Sequence, residues 1–325
     1  MTGLIGDEIW TQPLNSGGVA NLHGLFRLIP AVVLLPMTSL FEKITLRLVP
    51  DEPLDEEDVN AIAALDGLDE RFFASPALAL DQVERVVLEM SEVAMHNVDA
   101  CVKQIFEYDA KRYQRILERE DLIDRMTDAA NKYLVSLSSH ITRDADTRIQ
   151  NSVLKTLICY ERIGDLSVNI ADEIEKFRAE NKQFSPEALS ELKIAFDAIY
   201  EIMDTVSMAY RYKDPVLASK VEPLEEVIDD MVEELNARHV YRMVNQLCDA
   251  LTGIYFQAIL TNIEHISDKC SDIAVYVLEK EYQDIFGHEH TYLHELHHSN
   301  DADYADMYQT DYSKYFGRLD AIPVS

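Results

Sequence analysis

The sequence predicts an all-α fold of two tandem, pseudo-symmetric three-helix bundles, and three observations lead to it. Glycine and proline number only ten each in 325 residues, and long stretches contain neither, which favours long helices over a turn-rich sheet. From Asp81 onward helical stretches follow one another at about 81–108, 110–140, 145–180, 185–212, 214–241 and 245–285. The breaks between them are a few residues long, which makes neighbouring helices antiparallel. The region also repeats internally: Glu120 to Met126 (EDLIDRM) returns as Glu225 to Met231 (EEVIDDM) at an offset of 105 residues, and Glu161 to Ala171 (ERIGDLSVNIA) returns as Glu264 to Ala274 (EHISDKCSDIA) at 103. Ile116, Ile123 and Ala130 form a heptad stripe that Val221, Ile228 and Leu235 repeat. The two-residue difference between offsets is one loop adjustment between copies of a single unit, here placed at 81–180 and 185–282.

The flanks read differently. From Leu25 to Met37 the apolar run LFRLIPAVVLLPM is broken only by Arg27, Pro30 and Pro36, and as an uncharged run it falls short of the ~18–20 residues that span a bilayer. Asp7 and Glu8 stand where a secretory signal would carry basic residues. Taken from Leu22 to Val49 the segment is long enough to cross, with Arg27, Glu42, Lys43 and Arg47 near its ends, where they could snorkel; a buried amphipathic helix is the alternative. Composition alone slightly favours the buried helix, and it is a family resemblance that makes residues 1–50 a membrane-like segment. Residues 51–80 are expected to form an acidic linker: Asp51 to Asp58, which contains Pro53, reads as a solvated linker or a helix start, and the irregular run through Phe72, Phe73 and Pro76 packs against the bundle. Residues 283–325 are expected to be a polar tail rich in His, Asp and Tyr.

Charge narrows the function classes. The formal net charge is −30, from 29 basic against 59 acidic residues, so the surface repels nucleic acid and anionic lipid and attracts divalent cations and basic partners. Cys101, Cys159, Cys248 and Cys270 lie far apart without metal-ligand spacing and read as reduced, mostly buried thiols. No Gly-rich phosphate loop, nucleophile set or dinucleotide fingerprint occurs, which argues against an enzyme.

The repeated stretches each hold a Glu and an Asp four residues apart: Glu120/Asp124, Glu161/Asp165, Glu225/Asp229 and Glu264/Asp268. Positions i and i+4 share one helix face, so each pair can reach one cation, and hard oxygen donors suit Mg, Mn, Ca or Fe. The spacing alone says little, because a chain this acidic holds roughly ten such pairs by chance. Their equivalent placement in both repeats is what raises the signal. In the last helix Ile266, Ile273 and Val277 lie opposite Glu264 and Asp268, the pattern of an ordinary solvated face. In the third helix Leu154, Ile158 and Val168 share the face of Glu161 and Asp165, which makes those carboxylates look part-buried and in need of a partner.

The segment Glu161 to Asp172, ERIGDLSVNIAD, resembles the most recognisable stretch of the PhoU family, and EDLID at 120–124, EEVID at 225–229 and EHISD at 264–268 match that family's other acidic positions. The resemblance spans all six helices. It implies metal clusters on paired motifs and a regulatory, non-catalytic role in phosphate uptake. A divalent or trivalent cation is expected between the second and third helices of the first repeat, held by Glu120, Asp124, Glu161 and Asp165. The second site is expected to be weaker, because Ser267 replaces the glycine and His265 the arginine of the pattern. Ala20-Asn21-Leu22-His23 with Leu25-Phe26 and Leu34-Leu35-Pro36 resembles the last membrane helix of bacterial sodium/phosphate cotransporters, whose members end in a PhoU-like domain. That resemblance implies a truncated or split cotransporter on the cytoplasmic side of the membrane, partnered by a transporter membrane domain or other phosphate-uptake proteins, with a homodimer as a further arrangement. A free-standing PhoU-type signalling protein is the alternative.

His288, His290, His294, His297 and His298 crowd the tail, and His294-Glu295-Leu296-His297-His298 formally fits HExxH, the zinc-peptidase pattern. His290, His294 and His298 are the tail's candidate metal ligands, with Asp301 or Asp303 as a third-ligand candidate for a peptidase. A solvated tail is the reading preferred, since nothing around the stretch offers a core to exclude water.

Overall fold

The computed structural model describes residues 55–281 and 302–324, together with six positions between 23 and 32. The chain divides into two units, Met1–Leu54 and Asp55–Ser325. In the first, the described positions His23, Phe26, Arg27, Leu28, Pro30 and Val32 are helical and exposed. Among the described residues no helix is long and apolar enough to cross a membrane. The remainder of residues 1–50, on which the membrane-like reading falls, lies outside the described residues.

In the second unit the local chemistry sets the helix boundaries. Helix α1 runs Glu56–Asp66, α2 Pro76–Phe106, α3 Ala110–Leu137, α4 Asp144–Ala179, α5 Pro186–Tyr212, α6 Val221–Val244 after a single turn at Pro215–Ala218, α7 Ala250–Glu281 and α8 Ala302–Leu319. Pro76 and Pro186 occupy first helical positions, where the missing N–H costs nothing. Side chains of Asp109 and Ser185 accept from the backbone N–H of Lys111 and Ala188, satisfying donors that the first turn leaves without partners. Lys213 at φ 52° ends α5 in the left-handed region.

Helices α2–α4 form one three-helix bundle and α5–α7 the second, joined chiefly through α4 against α7 with α2 against α5 alongside. The repeated stripes are the reason for this pairing. Ile116, Ile123 and Ala130 on α3 and Val221, Ile228 and Leu235 on α6 are all fully buried, and Ile266, Ile273 and Val277 of α7 join them in the core. All four cysteines are free thiols, three of them buried.

One expectation about the flanks needs correction, and another resolves between its two readings. Of a solvated linker and a helix start at Asp51 to Asp58, the described residues show the helix start: helix α1 begins at Glu56 and packs on α2 and α3. Ala61 is fully buried, and Arg119 of α3 reaches across to both Asp55 and Asp58. The run after it does pack as expected: Phe73 meets the Tyr133 ring edge-on at 4.9 Å, and the Tyr133 hydroxyl donates to the Asp69 carbonyl. The described part of the tail is likewise not a solvated coil, for α8 lies along α6 and touches α5. Tyr304, Tyr315, Phe316 and Leu319 are buried there, at helical spacing that the polar residues between them obscured. Tyr304 and Tyr308 donate to Glu226 and Asp230, and Arg318 pairs with Asp197.

Candidate metal centre

The heptad stripes that bury one face of α3 and α6 turn their Glu/Asp pairs toward α4 and α7. In the first bundle Glu120, Asp124 and Asp165 bring one carboxylate oxygen each within 4.8 Å of one another, and in the second Glu225, Asp229 and Asp268 do the same. Each three-residue set draws two donors from the middle helix of a repeat and one from its last helix. Glu161 and Glu264 stand outside these sets, though both lie close enough for their charges to be felt: Glu161 is raised above its usual carboxyl range by burial and then by Asp124 and Asp165, and Glu264 adds to the repulsion on Asp229.

The close approach of α3 and α4 rests on one residue. A Cβ at Gly164 would sit 3.1 Å from Ile123 Cδ1, tight enough that the isoleucine must give way. Ser267, its counterpart on α7, is fully buried and folds its hydroxyl back to the Glu264 carbonyl at 2.7 Å, keeping its oxygen on its own helix. We expect Gly164→Val to lower stability by about 1–3 kcal/mol through overpacking. Gly164→Ala should stay near neutral, since better helix propensity offsets a small displacement of Ile123. Urea melts of the two variants distinguish these outcomes.

The two clusters differ in environment. In the first, Asp124 is exposed, and Arg162 donates to Asp165 at 3.2 Å. Burial first, then the neighbouring carboxylates, raises the pKa of Glu120 and Asp124. Ile158, expected to help bury this face, is itself 58% exposed. In the second, Glu225 is only 8% exposed, and burial, then Asp229 and Glu222, push its carboxyl up to about 10. Burial and then Asp268 and Glu264 push Asp229 up to about 7. Burial also raises Asp268, which shares a hydrogen bond with Glu225. One buried oxygen of Asp229, Oδ1, has no hydrogen-bond partner. The face judged ordinary from the α7 pattern is therefore the more enclosed one. Helix α8 explains part of this: Tyr304 stands on α6 close enough to feel Glu222 and Glu225.

Acidic residues absent from the repeated motif also contribute. Asp128 continues the i, i+4 series beyond Asp124 and raises both Asp124 and Glu161, so the series itself was its signal. Glu222 lies one turn before Glu225 and Glu226 and accepts from Ser271 of α7; only the fold brings those two helices together. His290, His294 and His298 lie outside the described residues, as does Asp301, while Asp303 sits in the first turn of α8.

Three carboxyl oxygens converging at this distance are what a hard cation site needs, and in the second set the unpartnered buried oxygen of Asp229 adds to it. Glu225, Asp229 and Asp268 could hold one such ion, and Glu120, Asp124 and Asp165 another. A bound cation would offset the repulsion among these carboxylates.

Fold and site together define a class: a twin three-helix scaffold carrying one acidic cluster at the equivalent position of each repeat. The family model described as PhoU domain matches residues 87–174 and 192–277, so both repeats are covered, and the chain belongs to the PhoU domain family. It is 25% identical over 51% of its length to the phosphate-specific transport system accessory protein PhoU homolog 1 of Thermotoga maritima, covering 71% of that protein. With the homolog 1 of Methanothermobacter thermautotrophicus it is 21% identical over 60% of this chain and 89% of that one. Among solved structures, PhoU from Pseudomonas aeruginosa superposes with a TM-score of 0.59 at 21% identity, covering 62% of this chain and 96% of that one. The PhoU of Streptococcus pneumoniae gives 0.57 at 17%, over 64% and 98%. At these identities the solved structures establish the fold alone. The family match ends before α8.

Proposed function

We propose that this protein is a regulatory accessory protein of phosphate transport, acting on the cytoplasmic side through protein contacts and cation-loaded clusters, with no chemistry of its own. The observation that carries this reading is the PhoU-domain match over both repeats, each with its acidic cluster in the same place. The relatives' description as accessory proteins of a phosphate-specific transport system supports the free-standing form over a transporter fragment. The partner proposed is accordingly a phosphate-uptake system, and the ion a hard divalent or trivalent one. The cotransporter reading rests on residues 20–36 and on their order ahead of an acidic linker and the repeat.

The test is phosphate uptake in host cells lacking the gene, complemented with wild type or with Glu225→Gln/Asp229→Asn. Loss of the chain should change uptake at high external phosphate, wild type should restore it, and the double variant should not. Uptake that is indifferent to the chain would overturn the proposal. Membrane fractionation separates the two forms: the accessory reading expects release by an alkaline wash, and a retained chain would favour the cotransporter form.

A further inference from the structure

The turn between α6 and α7 gathers three soft donor groups that neither acidic cluster uses. His239 and Met243 stand four residues apart on the last turns of α6 and so share one face. Helix α6 then ends in a left-handed cap: Gln246 takes φ 59°, its N–H donates to the Met243 carbonyl at 3.0 Å, and the Leu247 N–H donates to the Arg242 carbonyl at 2.8 Å. That cap turns the chain back on itself and brings Cys248 Sγ to 3.4 Å from His239 Nε2. Helix α7 closes the group through a glycine. A Cβ at Gly253 would come 2.6 Å from Met243 Sδ and 3.0 Å from His239 Nε2, so thioether and imidazole converge on one point that glycine leaves open. His239 is 4% exposed and stacks on Phe256 at 4.7 Å, and its Nδ1 has no hydrogen-bond partner among the described residues. The ring is thus held by the stack, with Nε2 as its polar edge toward the two sulfurs.

A neutral imidazole, a thiol and a thioether converging in this way are the donor set of a soft metal ion. Burial, and then the charge of Arg242, lower the His239 pKa to about 4, so the imidazole is neutral near pH 7. A hydrogen bond between Cys248 and His239 alone would need neither the Met243 sulfur nor the glycine. Charge selects among soft ions. The Arg242 guanidinium is felt at both His239 and Cys248, and its own charge is already matched by Glu191. One thiolate balances one positive charge, so a monovalent ion suits this place better than a divalent one. We propose that His239 Nε2, Met243 Sδ and Cys248 Sγ bind Cu(I), the Cys248 thiol giving up its proton to become the anionic ligand. Met243 and Cys248 are partly exposed, which gives the ion a way in from solvent. Cys101, Cys159 and Cys270 are buried, so Cys248 is the accessible thiol of the four. The site is independent of the acidic clusters, whose oxygen donors suit hard ions, and of the role in phosphate transport.

Anaerobic titration of the reduced full chain with Cu(I), in competition with the chelator bicinchoninate, tests this assignment. Wild type should take up one equivalent more than Cys248→Ser; any copper on the tail histidines is common to both proteins. Met243→Leu, which keeps the side-chain volume, should hold that equivalent at least tenfold more weakly, since even a supporting residue costs a metal site roughly 10–100-fold. Cys159→Ser should titrate as wild type. Both Cys248→Ser and Met243→Leu replace partly exposed side chains, so their circular dichroism should match that of wild type. Copper X-ray absorption should show sulfur and nitrogen neighbours in wild type and fewer sulfurs in each of these two variants. Equal copper retention by wild type and Cys248→Ser, or equal affinity in wild type and Met243→Leu, overturns the three-ligand site. Wild-type copper without sulfur neighbours overturns it independently of any variant.

Discussion

Replacing Glu191 by alanine should destabilise the protein by about 3–5 kcal/mol, because it leaves a buried guanidinium without its counter-charge. Glu191 of α5 is fully buried and Arg242 of α6 is 3% exposed, and two hydrogen bonds of 2.8 and 2.6 Å join them in a fork. Arg238 adds its charge at 3.9 Å from the same carboxylate. At ~2–4 °C per kcal/mol for a domain of this size, the melting temperature should fall by roughly 10 °C. The pair itself need not add net stability, since desolvating two charges costs about as much as their attraction returns. The double variant Glu191→Leu/Arg242→Met should therefore recover most of the loss. If the double variant were as unstable as the sum of the two single ones, the uncompensated charge would not be the cause of the defect.

The second large effect is pH-dependent and belongs to the acidic cluster between α6 and α7. Glu225 and Asp229 hold protons more tightly in the folded chain, up to about 10 and about 7, than in the unfolded one. The folded state therefore binds more protons, and stability falls as pH rises. That contribution is complete below about pH 4, the unfolded range of these groups, and is lost as pH climbs through 7 for Asp229 and onward for Glu225. Metal-free protein should melt progressively lower from pH 5 to pH 9. Glu225→Gln/Asp229→Asn, which fixes both groups neutral, should be more stable than metal-free wild type at pH 8, and its melting temperature should fall less between pH 5 and pH 9. Parallel pH profiles for the two proteins would mean that burial of these carboxyls carries no cost.

Much of this architecture was legible because periodicity and repetition report directly on which face a helix buries. The heptad stripe through Ile116, Ile123 and Ala130 specified the seam of α3, and its copy specified that of α6. The cluster residues were legible for the same reason: a stripe that fixes the buried face also fixes where Glu120 and Asp124 point. What local pattern could not supply was long-range cover. Glu264 and Asp268 lie on a helix face that is polar in sequence, yet the acidic site there is the more enclosed one, since α6 faces it and α8 runs along the outside of α6. Tyr304, Tyr315, Phe316 and Leu319 are scattered among Asp, Ser and Lys, so their common face appears only when residues 302–319 are wound as a helix. The start of helix α1 could be read at Asp51 to Asp58, but its cover could not, for Asp58 is acidic in sequence and buried in structure by its pairing with Arg119.

Whether the paired carboxylate clusters are cation sites is decided by elemental analysis of the purified protein. Wild type dialysed against Mg, Mn, Ca or Fe in turn should retain one of these ions at up to two equivalents per chain. Glu225→Gln/Asp229→Asn should lose one equivalent, and adding Glu120→Gln/Asp124→Asn should lose the other. Chelation should lower the wild-type melting temperature by an amount set by ion concentration over dissociation constant, about 2.7 kcal/mol at a hundredfold excess, and leave the quadruple variant unchanged. Wild type holding no more metal than the quadruple variant, with a melting temperature indifferent to chelation, would contradict the claim and leave both clusters as acidic faces without a bound ion.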